Sequence, residues 1–154
     1  AEELAPAIDK AFSYGDEVLV EEFIDGRELT VVVWGTSTAA EAFPIIEITT
    51  TSGRYDYESK YTPGASRHIV PADLSEERTA TIQDIAVRAF RACGCSGMAR
   101  VDLMLSKTGE AYAIEVNSVP GMTKISLVPD AGRAMGLEFP ELCERILAMA
   151  GYTR

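Results

Sequence analysis

Two polar residues, Glu115 and Asn117, stand in a segment that otherwise has the composition of a buried β-strand, AYAIEVN at 111–117. Because strand side chains alternate between the two faces of a sheet, both polar groups point to one face, opposite Ile114 and Val116. A carboxylate and an amide on a core strand are costly unless a partner or a ligand satisfies them. Their types and spacing therefore mark a candidate binding site.

A second strand, MARVDLML at 98–105, is joined to this segment through SKTG at 106–109, which predicts a hairpin. If SKTG is the loop, the hairpin closes between Leu105 and Glu110. The predicted opposed pairs are then Arg100 with Glu115, Asp102 with Ala113 and Met104 with Ala111. The predicted polar face comprises Met98, Arg100, Asp102, Met104, Ala111, Ala113, Glu115 and Asn117. The predicted core face comprises Val101, Leu103, Leu105, Tyr112, Ile114 and Val116.

The polar face has the chemistry of a metal and phosphate site. Two carboxylates and an amide oxygen, from Asp102, Glu115 and Asn117, form a hard-oxygen set that suits Mg²⁺. Arg100 could bind a phosphoryl oxygen, and Met104 could pack against the face of a flat ring. The alternative is a solvated sheet face with an Arg100–Glu115 ion pair. The hairpin alone does not decide between the two interpretations, because antiparallel sheets often have one wet face.

Three further segments have a functional and an ordinary interpretation. The loop after Asn117, SVPGMT, could offer backbone N–H groups to an oxyanion or a carboxylate, or could be a simple turn. In YDYESKY at 55–61, Lys60 could reach a phosphate and the tyrosines could form a lid, or the segment could be a solvated loop. Glu21, Glu22 and Glu28 could bind ribose hydroxyls or lie on a solvated surface.

The remaining elements predict an α+β fold with a largely antiparallel sheet flanked by helices. Strands are predicted at 17–24, 28–35 and 42–50, with a turn at 25–27. Helices are predicted at 2–13, 75–93, 127–135 and 139–150. The helix at 75–93 has apolar residues at i, i+3, i+4 and i+7, a cap at Asp73 or Ser75, and Gly94 after its end.

Composition excludes several classes of protein. The formal charge of −10 argues against a nucleic-acid surface, and no run of eighteen apolar residues predicts a membrane span. Cys93, Cys95 and Cys143 lack C-x-x-C spacing, which is typical of free thiols in a reducing cytoplasm. His68, the only histidine, is interpreted as a surface or loop residue. The start at Ala1, within a helical pattern, leads us to expect a fragment of a longer chain.

In order along the chain, EEFIDGRELTV, YDYESKY, RVDLML and EVNSVPGMTKISLVP resemble the D-alanine–D-alanine ligases of the ATP-grasp superfamily. The resemblance covers nearly all 154 residues. It implies a C-terminal ATP-grasp domain, with ATP and two Mg²⁺ or Mn²⁺ ions. The implied reaction joins two D-alanines through an acyl phosphate, for peptidoglycan. It also implies missing N-terminal and central domains, a cytoplasmic location and no membrane partner, and allows a homodimeric parent.

The resemblance also implies roles for individual residues. The expected metal ligands are Asp102, Glu115 and Asn117. The expected catalytic residues are Arg100, Lys60, Tyr61, Gly121 and Ser126. The expected nucleotide-binding residues are Glu21, Glu22, Phe23, Ile24, Glu28, Tyr57, Lys60 and Met104. Ser126 and Leu127 are expected to hold the carboxylate of the second substrate.

Two departures from the family pattern occur within the matched region. Ser118 stands where threonine is common, and Arg54 where an aromatic residue is common. Residues 1–25 are expected to end the central lobe, and 26–154 to form the C-terminal domain. The alternatives are a D-Ala–D-Lac or D-Ala–D-Ser ligase, or a nucleotide- or metal-binding module without turnover. Tyr61 favours the dipeptide, because relatives that form depsipeptides tend to carry phenylalanine there.

Overall fold

Six antiparallel strands and four helices make up the computed structural model, which describes residues 3–36, 38–50 and 66–150. The strands are β1 (Gly26–Gly35), β2 (Ala40–Ala42), β3 (Ile46–Thr50), β4 (Ser66–Ile69), β5 (Gly97–Ser106) and β6 (Ala111–Asn117). The helices are α1 (Leu4–Phe12), α2 (Glu76–Ala92), α3 (Leu127–Ala134) and α4 (Phe139–Met149). Within these ranges, no helix has both the length and the apolar content needed to cross a membrane.

The sheet is built around β1. Its order is β4-β3-β1-β5-β6, with β2 paired to β1 beside β3, and every pairing is antiparallel. β5 pairs with β1 along the whole of both strands, from Gly26 opposite Ser106 to Gly35 opposite Gly97. The predicted α+β class and the largely antiparallel sheet are confirmed.

Helix α2 covers one face of the sheet. Ser75 is its N-cap, and the Ser75 hydroxyl accepts a hydrogen bond from the Arg78 N–H at 3.3 Å, as the capping pattern predicted. Ile82, Ala86 and Phe90 on its inner face are fully buried against the sheet. Burial of each large apolar side chain contributes about 1.5–3 kcal/mol. This layer holds β1 and β5 in register.

Helices α3 and α4 cover part of the opposite face. Leu127 and Val128 of α3 and Leu142 of α4 pack in a second core with Val32 of β1. The Cβ that an alanine would add at Gly132 would lie 2.9 Å from Leu142 Cδ2, so the two helices approach closely there. The predicted short helices are confirmed. The rest of this face carries the candidate site.

The predicted strand at 17–24 is wrong, and so is its hairpin with β1. Residues 17–25 have no strand assignment, and Leu19, Val20 and Phe23 are exposed. The reason lies in the sheet, because β1 is already paired with β5 on one side and with β2 and β3 on the other. No edge of β1 remains for the preceding segment.

The predicted strand at 42–50 is interrupted. β2 ends at Ala42 and β3 begins at Ile46. Pro44 lies between them and has no backbone N–H to donate to a neighbouring strand. The Phe43 N–H still donates to the Val32 carbonyl at 2.8 Å, which keeps the connection against β1.

The predicted register of the β5–β6 hairpin is wrong by one residue at the turn. The loop has three residues, 107–109, and the Ser106 N–H donates to the Glu110 carbonyl at 2.8 Å. Gly109 has φ +92°, the left-handed position that a three-residue hairpin loop requires. A one-residue shift exchanges the faces of a strand, so Ala111 packs against the core and Tyr112 lies on the opposite face.

A β-bulge then restores the predicted face for the end of β6. The observed pairs run from Leu105–Ala111 through Met104–Tyr112 to Leu103–Ala113, and continue beyond the bulge with Asp102–Glu115, Val101–Val116 and Arg100–Asn117. Ile114 is the extra residue. Glu115 is therefore opposite Asp102, rather than opposite Arg100 as predicted.

Candidate functional site

A cleft of about 360 Å³ lies beside the β5–β6 hairpin. Its lining residues come from the segment before β1, from β1 and from the hairpin: Glu21, Glu22, Phe23, Ile24, Glu28, Asp102, Leu103, Met104, Ile114 and Glu115. All six described residues assigned to the nucleotide by resemblance, and two of the three assigned to the metal, therefore surround one cleft.

Leu103 and Ile114 also line this cleft but had been assigned to the core. Ile114 reaches it because of the bulge, and its side chain is 47% exposed. Alternation along the sequence could not reveal this, because a bulge breaks the alternation. Tyr112, on the same strand, donates to Glu110 Oε2 at 2.8 Å. This hydrogen bond to a carboxylate raises the pKa of the Tyr112 hydroxyl.

Asp102 lies within a compact hydrogen-bond network. Arg100 Nε donates to Asp102 Oδ1 at 2.8 Å, and Arg100 Nη2 donates to Asp102 Oδ2 at 2.7 Å. The hydroxyl of Thr30, on β1, donates to Asp102 Oδ1 at 2.6 Å. The side chains of Arg100 and Asp102 are only 11% and 18% exposed. The alternative of a solvated sheet face with an Arg100–Glu115 ion pair therefore does not describe these residues.

The sequence predicts no role for Thr30. A signal was available, since Thr30 is the single polar residue in LTVVVW at 29–34. In the part of the chain that the structure describes, Thr30 is the one buried polar or charged residue. Its hydrogen bond to Asp102 joins the central strand, β1, to the carboxylates of the site.

Glu115 and Asn117 complete the acidic end of the cleft. Glu115 is directly opposite Asp102, and Asn117 is directly opposite Arg100, so all four residues share one face. Asn117 Oδ1 accepts a hydrogen bond from the Val119 N–H at 3.2 Å, which links the end of β6 to the following loop. The site is thus continuous with the loop at 118–126.

The donor set suits a hard divalent cation. Among residues 3–36, 38–50 and 66–150, no three His, Cys, Asp or Glu side chains form a metal-binding group. The set predicted from the sequence, Asp102, Glu115 and Asn117, has two carboxylates and one amide oxygen. A cation bound there would need further oxygen ligands from water or phosphate, as Mg²⁺ commonly has. Asp102, Glu115 and Asn117 fit such a shared site by their chemistry and their common face.

The loop at 118–126 is organised around the Ser126 hydroxyl. Ser126 Oγ accepts from the Thr123 N–H at 3.0 Å and lies 2.7 Å from Thr123 Oγ1. A Cβ on Gly121 would lie 3.0 Å from Ser126 Oγ, so the glycine allows a close approach of the backbone. Ser126 is also the N-cap of α3, which begins at Leu127. One short segment around the start of α3 therefore contains three residues assigned by the resemblance, Gly121, Ser126 and Leu127.

Lys60, Tyr57 and Tyr61 lie outside the described residues. The predictions for them, and for a lid formed by the tyrosines of YDYESKY at 55–61, remain predictions.

His68 is not the surface or loop residue that the sequence predicted. It belongs to β4, and its Nδ1 lies 2.5 Å from Asp130 Oδ2, with both side chains less than one-fifth exposed. Asp130 also pairs with Arg133 on α3. The segment SRHI has three consecutive polar residues and no polar–apolar alternation, so no sequence signal indicated this contact.

The family model for the C-terminus of D-Ala–D-Ala ligases matches residues 1–148. The chain belongs to this family. The match covers both the segment before β1 and the sheet, which includes every element around the cleft.

Relatives and solved structures agree with the family. The D-alanine–D-alanine ligases of Syntrophotalea carbinolica and Desulforamulus reducens are 50% and 45% identical over 97% of this chain. The ligase of Bacillus anthracis complexed with ATP has TM-score 0.80 and 28% identity over 96% of this chain and 46% of its own. The VanG D-Ala:D-Ser ligase of Enterococcus faecalis has TM-score 0.80 and 35% identity over 97% of this chain and 43% of its own. The chain spans about half the length of the Syntrophotalea carbinolica and Desulforamulus reducens ligases.

Proposed function

We propose that this chain is the C-terminal part of an ATP-dependent D-alanine–D-alanine ligase. The observation that carries the proposal is the shared cleft, in which the six residues assigned to the nucleotide surround the same cavity as Asp102 and Glu115. A nucleotide bound there would have its phosphates beside a carboxylate pair and an arginine. That arrangement suits transfer of a phosphoryl group.

The proposed reaction has two steps. The carboxylate of one D-alanine attacks the γ-phosphorus of ATP, which forms an acyl phosphate and releases ADP. The amine of a second D-alanine then attacks the acyl carbon, the C–O bond to phosphate breaks, and the amine loses a proton. The products are D-Ala-D-Ala, ADP and inorganic phosphate.

The nucleotide roles follow the position of each residue around the cleft. We assign residues 21–24 to the adenine, Glu28 to the ribose hydroxyls and Met104 to the face of the ring. Phe23 is 73% exposed at the mouth of the cleft, where an aromatic side chain can contact a base. Ile114 adds an apolar wall that the sequence did not predict.

The phosphate roles belong to the acidic end of the cleft. Asp102, Glu115 and Asn117 would hold Mg²⁺ or Mn²⁺, two ions in all, and the cation supplies neutralisation of phosphate charge when bound. Arg100 is held against Asp102 and is mostly buried, so its guanidinium is positioned before substrate arrives. We assign it to the transferred phosphoryl group, together with Lys60.

The acceptor end of the site is the loop before α3. We assign the backbone of Gly121 to the oxyanion that forms when the amine attacks, and Ser126 and Leu127 to the carboxylate of the second D-alanine. The N-terminus of α3 favours an anion because the N–H groups of Leu127 and Val128 have no acceptor within the helix. Tyr61 and Tyr57 are assigned to closure over the substrates.

The remaining parts of the proposal concern the whole protein. We assign residues 1–25 to the end of the central lobe, which would give the exposed Leu19 and Val20 a partner surface outside this chain. The N-terminal and central domains would supply the rest of the ATP and D-alanine contacts. Three free thiols and the need for ATP favour the cytoplasm.

Phosphate release by the full-length protein tests the activity and its specificity. We expect release with ATP, Mg²⁺ and D-alanine, and little additional product when D-lactate or D-serine competes as the second substrate. A clear preference for D-serine would instead support the activity of the VanG relative. No release with any of the three would overturn the proposal.

The variant Glu115→Gln tests the metal assignment within the same protein. We expect turnover to fall by orders of magnitude with folding intact, because a carboxylate beside the phosphates is lost. Glu141→Gln is the matched control, since within the described part of the chain the Glu141 carboxylate pairs with Arg145 on the exposed surface of α4 and with no other residue. Near-normal turnover of Glu115→Gln at saturating Mg²⁺ would refute the assignment.

A further inference from the structure

Thr30 is polar and fully buried, at 0% exposure, on the central strand of the sheet. It is opposite Asp102 in the β1–β5 register, so the two side chains share a face. Its immediate neighbours along β1 are apolar, and Val32, the next residue on the same face, belongs to the second core. A buried hydroxyl in such surroundings is costly unless it is hydrogen-bonded.

The hydroxyl of Thr30 is directed at the carboxylate of Asp102. Thr30 Oγ1 lies 2.6 Å from Asp102 Oδ1 and 3.2 Å from the Val101 carbonyl oxygen. One hydroxyl hydrogen can make one strong bond, and the shorter contact is to the charged acceptor. Hydrogen bonds to a carboxylate are shorter and stronger than those to a neutral oxygen.

Thr30 and Arg100 together define the orientation of this carboxylate. Arg100 donates to both Asp102 oxygens, at 2.8 and 2.7 Å, and Thr30 donates to Oδ1 from the neighbouring strand. Arg100 is itself assigned to the phosphoryl group, so its guanidinium has a second proposed partner besides Asp102. Thr30 is fully buried on β1, and no substrate contact is assigned to it.

We propose that Thr30 is a positioning residue, which holds the Asp102 carboxylate in the orientation that binds the divalent cation and thereby sets the metal affinity of the site. The inference rests on the proposed function, because it takes Asp102 as a metal ligand. Groups that orient a ligating carboxylate commonly change metal affinity or activity by roughly 10–100-fold when they are removed.

The experiment uses the full-length protein and two variants of this residue. Thr30→Val keeps the shape and removes the hydroxyl, whereas Thr30→Ser keeps the hydroxyl and removes a methyl group. Thr49→Val is the matched control, because the Thr49 hydroxyl donates to the Arg67 carbonyl on β4, away from Asp102. Mn²⁺ binding in the presence of a non-hydrolysable ATP analogue is measured by electron paramagnetic resonance, together with the thermal midpoint without metal.

We expect Thr30→Val to weaken Mn²⁺ binding by roughly 10–100-fold. Thr30→Ser and Thr49→Val should remain within a few-fold of the wild type. In steady-state assays, Thr30→Val should need a higher Mg²⁺ concentration to reach half of its maximal rate. For Thr30→Ser and Thr49→Val this concentration should stay within a few-fold of the wild-type value. If Thr30→Val does not fold, Thr30→Ala is compared with Thr30→Ser, since both lose the methyl group and only serine keeps the hydroxyl.

Two results separate this inference from the proposed function. A lower thermal midpoint in Thr30→Val with unchanged Mn²⁺ affinity means that Thr30 only stabilises the core, and overturns the inference alone. A full-length protein that binds Mn²⁺ in a Thr30-dependent way but forms no dipeptide supports the inference and overturns the proposed ligase activity.

Discussion

Replacing Gly132 by alanine should destabilise the chain, although alanine is the better helix former. Gly132 lies within α3, where alanine is favoured over glycine by about 0.8–1.0 kcal/mol. The new Cβ, however, would lie 2.9 Å from Leu142 Cδ2 and 3.5 Å from Leu142 Cδ1. Leu142 is fully buried, so its side chain has little room to move.

The magnitude follows from these two opposing effects. Inserting a methyl group into a packed core costs about 1–3 kcal/mol. After the gain in helix propensity is subtracted, the free energy of unfolding should fall by about 1 kcal/mol. For a chain of this size, such a loss lowers the thermal midpoint by about 2–4 °C.

A double-mutant cycle with Leu142→Val makes the test specific. Valine lacks the two Cδ atoms that the new Cβ would approach most closely, so Gly132→Ala in that background should stabilise the chain by about 1 kcal/mol. Urea unfolding of the four proteins, followed by circular dichroism, measures both effects. Equal stabilisation by Gly132→Ala in both backgrounds would refute the close-packing argument.

Three further predictions concern other parts of the chain. Asp130→Asn should lower the free energy of unfolding by about 1.5–3 kcal/mol, because it weakens the partly buried contact with His68. Urea unfolding measures this change, and a loss below about 0.5 kcal/mol would contradict the prediction. The isolated 154-residue chain should form no detectable D-Ala-D-Ala, because it spans only 47% of the length of the Desulforamulus reducens ligase and positioning of the substrates can account for roughly 7–11 kcal/mol of the barrier; turnover equal to that of a full-length ligase would show that the catalytic groups are misassigned. Iodoacetamide at pH 8 should modify the exposed Cys93 before Cys95, because burial raises the pKa of the Cys95 thiol and leaves less thiolate; mass spectrometry showing faster modification of Cys95 would be contrary to this.

The sequence was sufficient for elements whose local pattern agrees with their packing. Helix α2 was predicted to within one residue at each end, because its apolar stripe, its Ser75 cap and its terminal Gly94 all indicate the same boundaries. The short helices α3 and α4 were predicted for the same reason. Most of β1 and the whole apolar face of β5 also followed from their composition.

Strand assignment and register could not be predicted from the sequence where they depend on the pairing of the whole sheet. Residues 17–24 have the composition of a strand, yet both sides of β1 are occupied by other strands. The three-residue loop ending at Gly109 and the bulge at Ile114 each shift β6 by one residue, and neither shift follows from alternation. Asp102 and Glu115 lie on one face, as predicted, only because both shifts occur and the second reverses the change of face that the first produces.

The bulge makes the candidate site more sensitive to the length of β6 than to the identity of the residue at its centre. A library that substitutes Ile114 with other apolar residues would retain the register on both sides of it. A deletion of Ile114 would instead remove the extra residue and turn one part of the strand over. Either Glu115 and Asn117 would then face α2, or the residues beside the turn would exchange faces. Natural relatives should therefore vary in the side chain at this position while keeping the number of residues between Gly109 and Glu115.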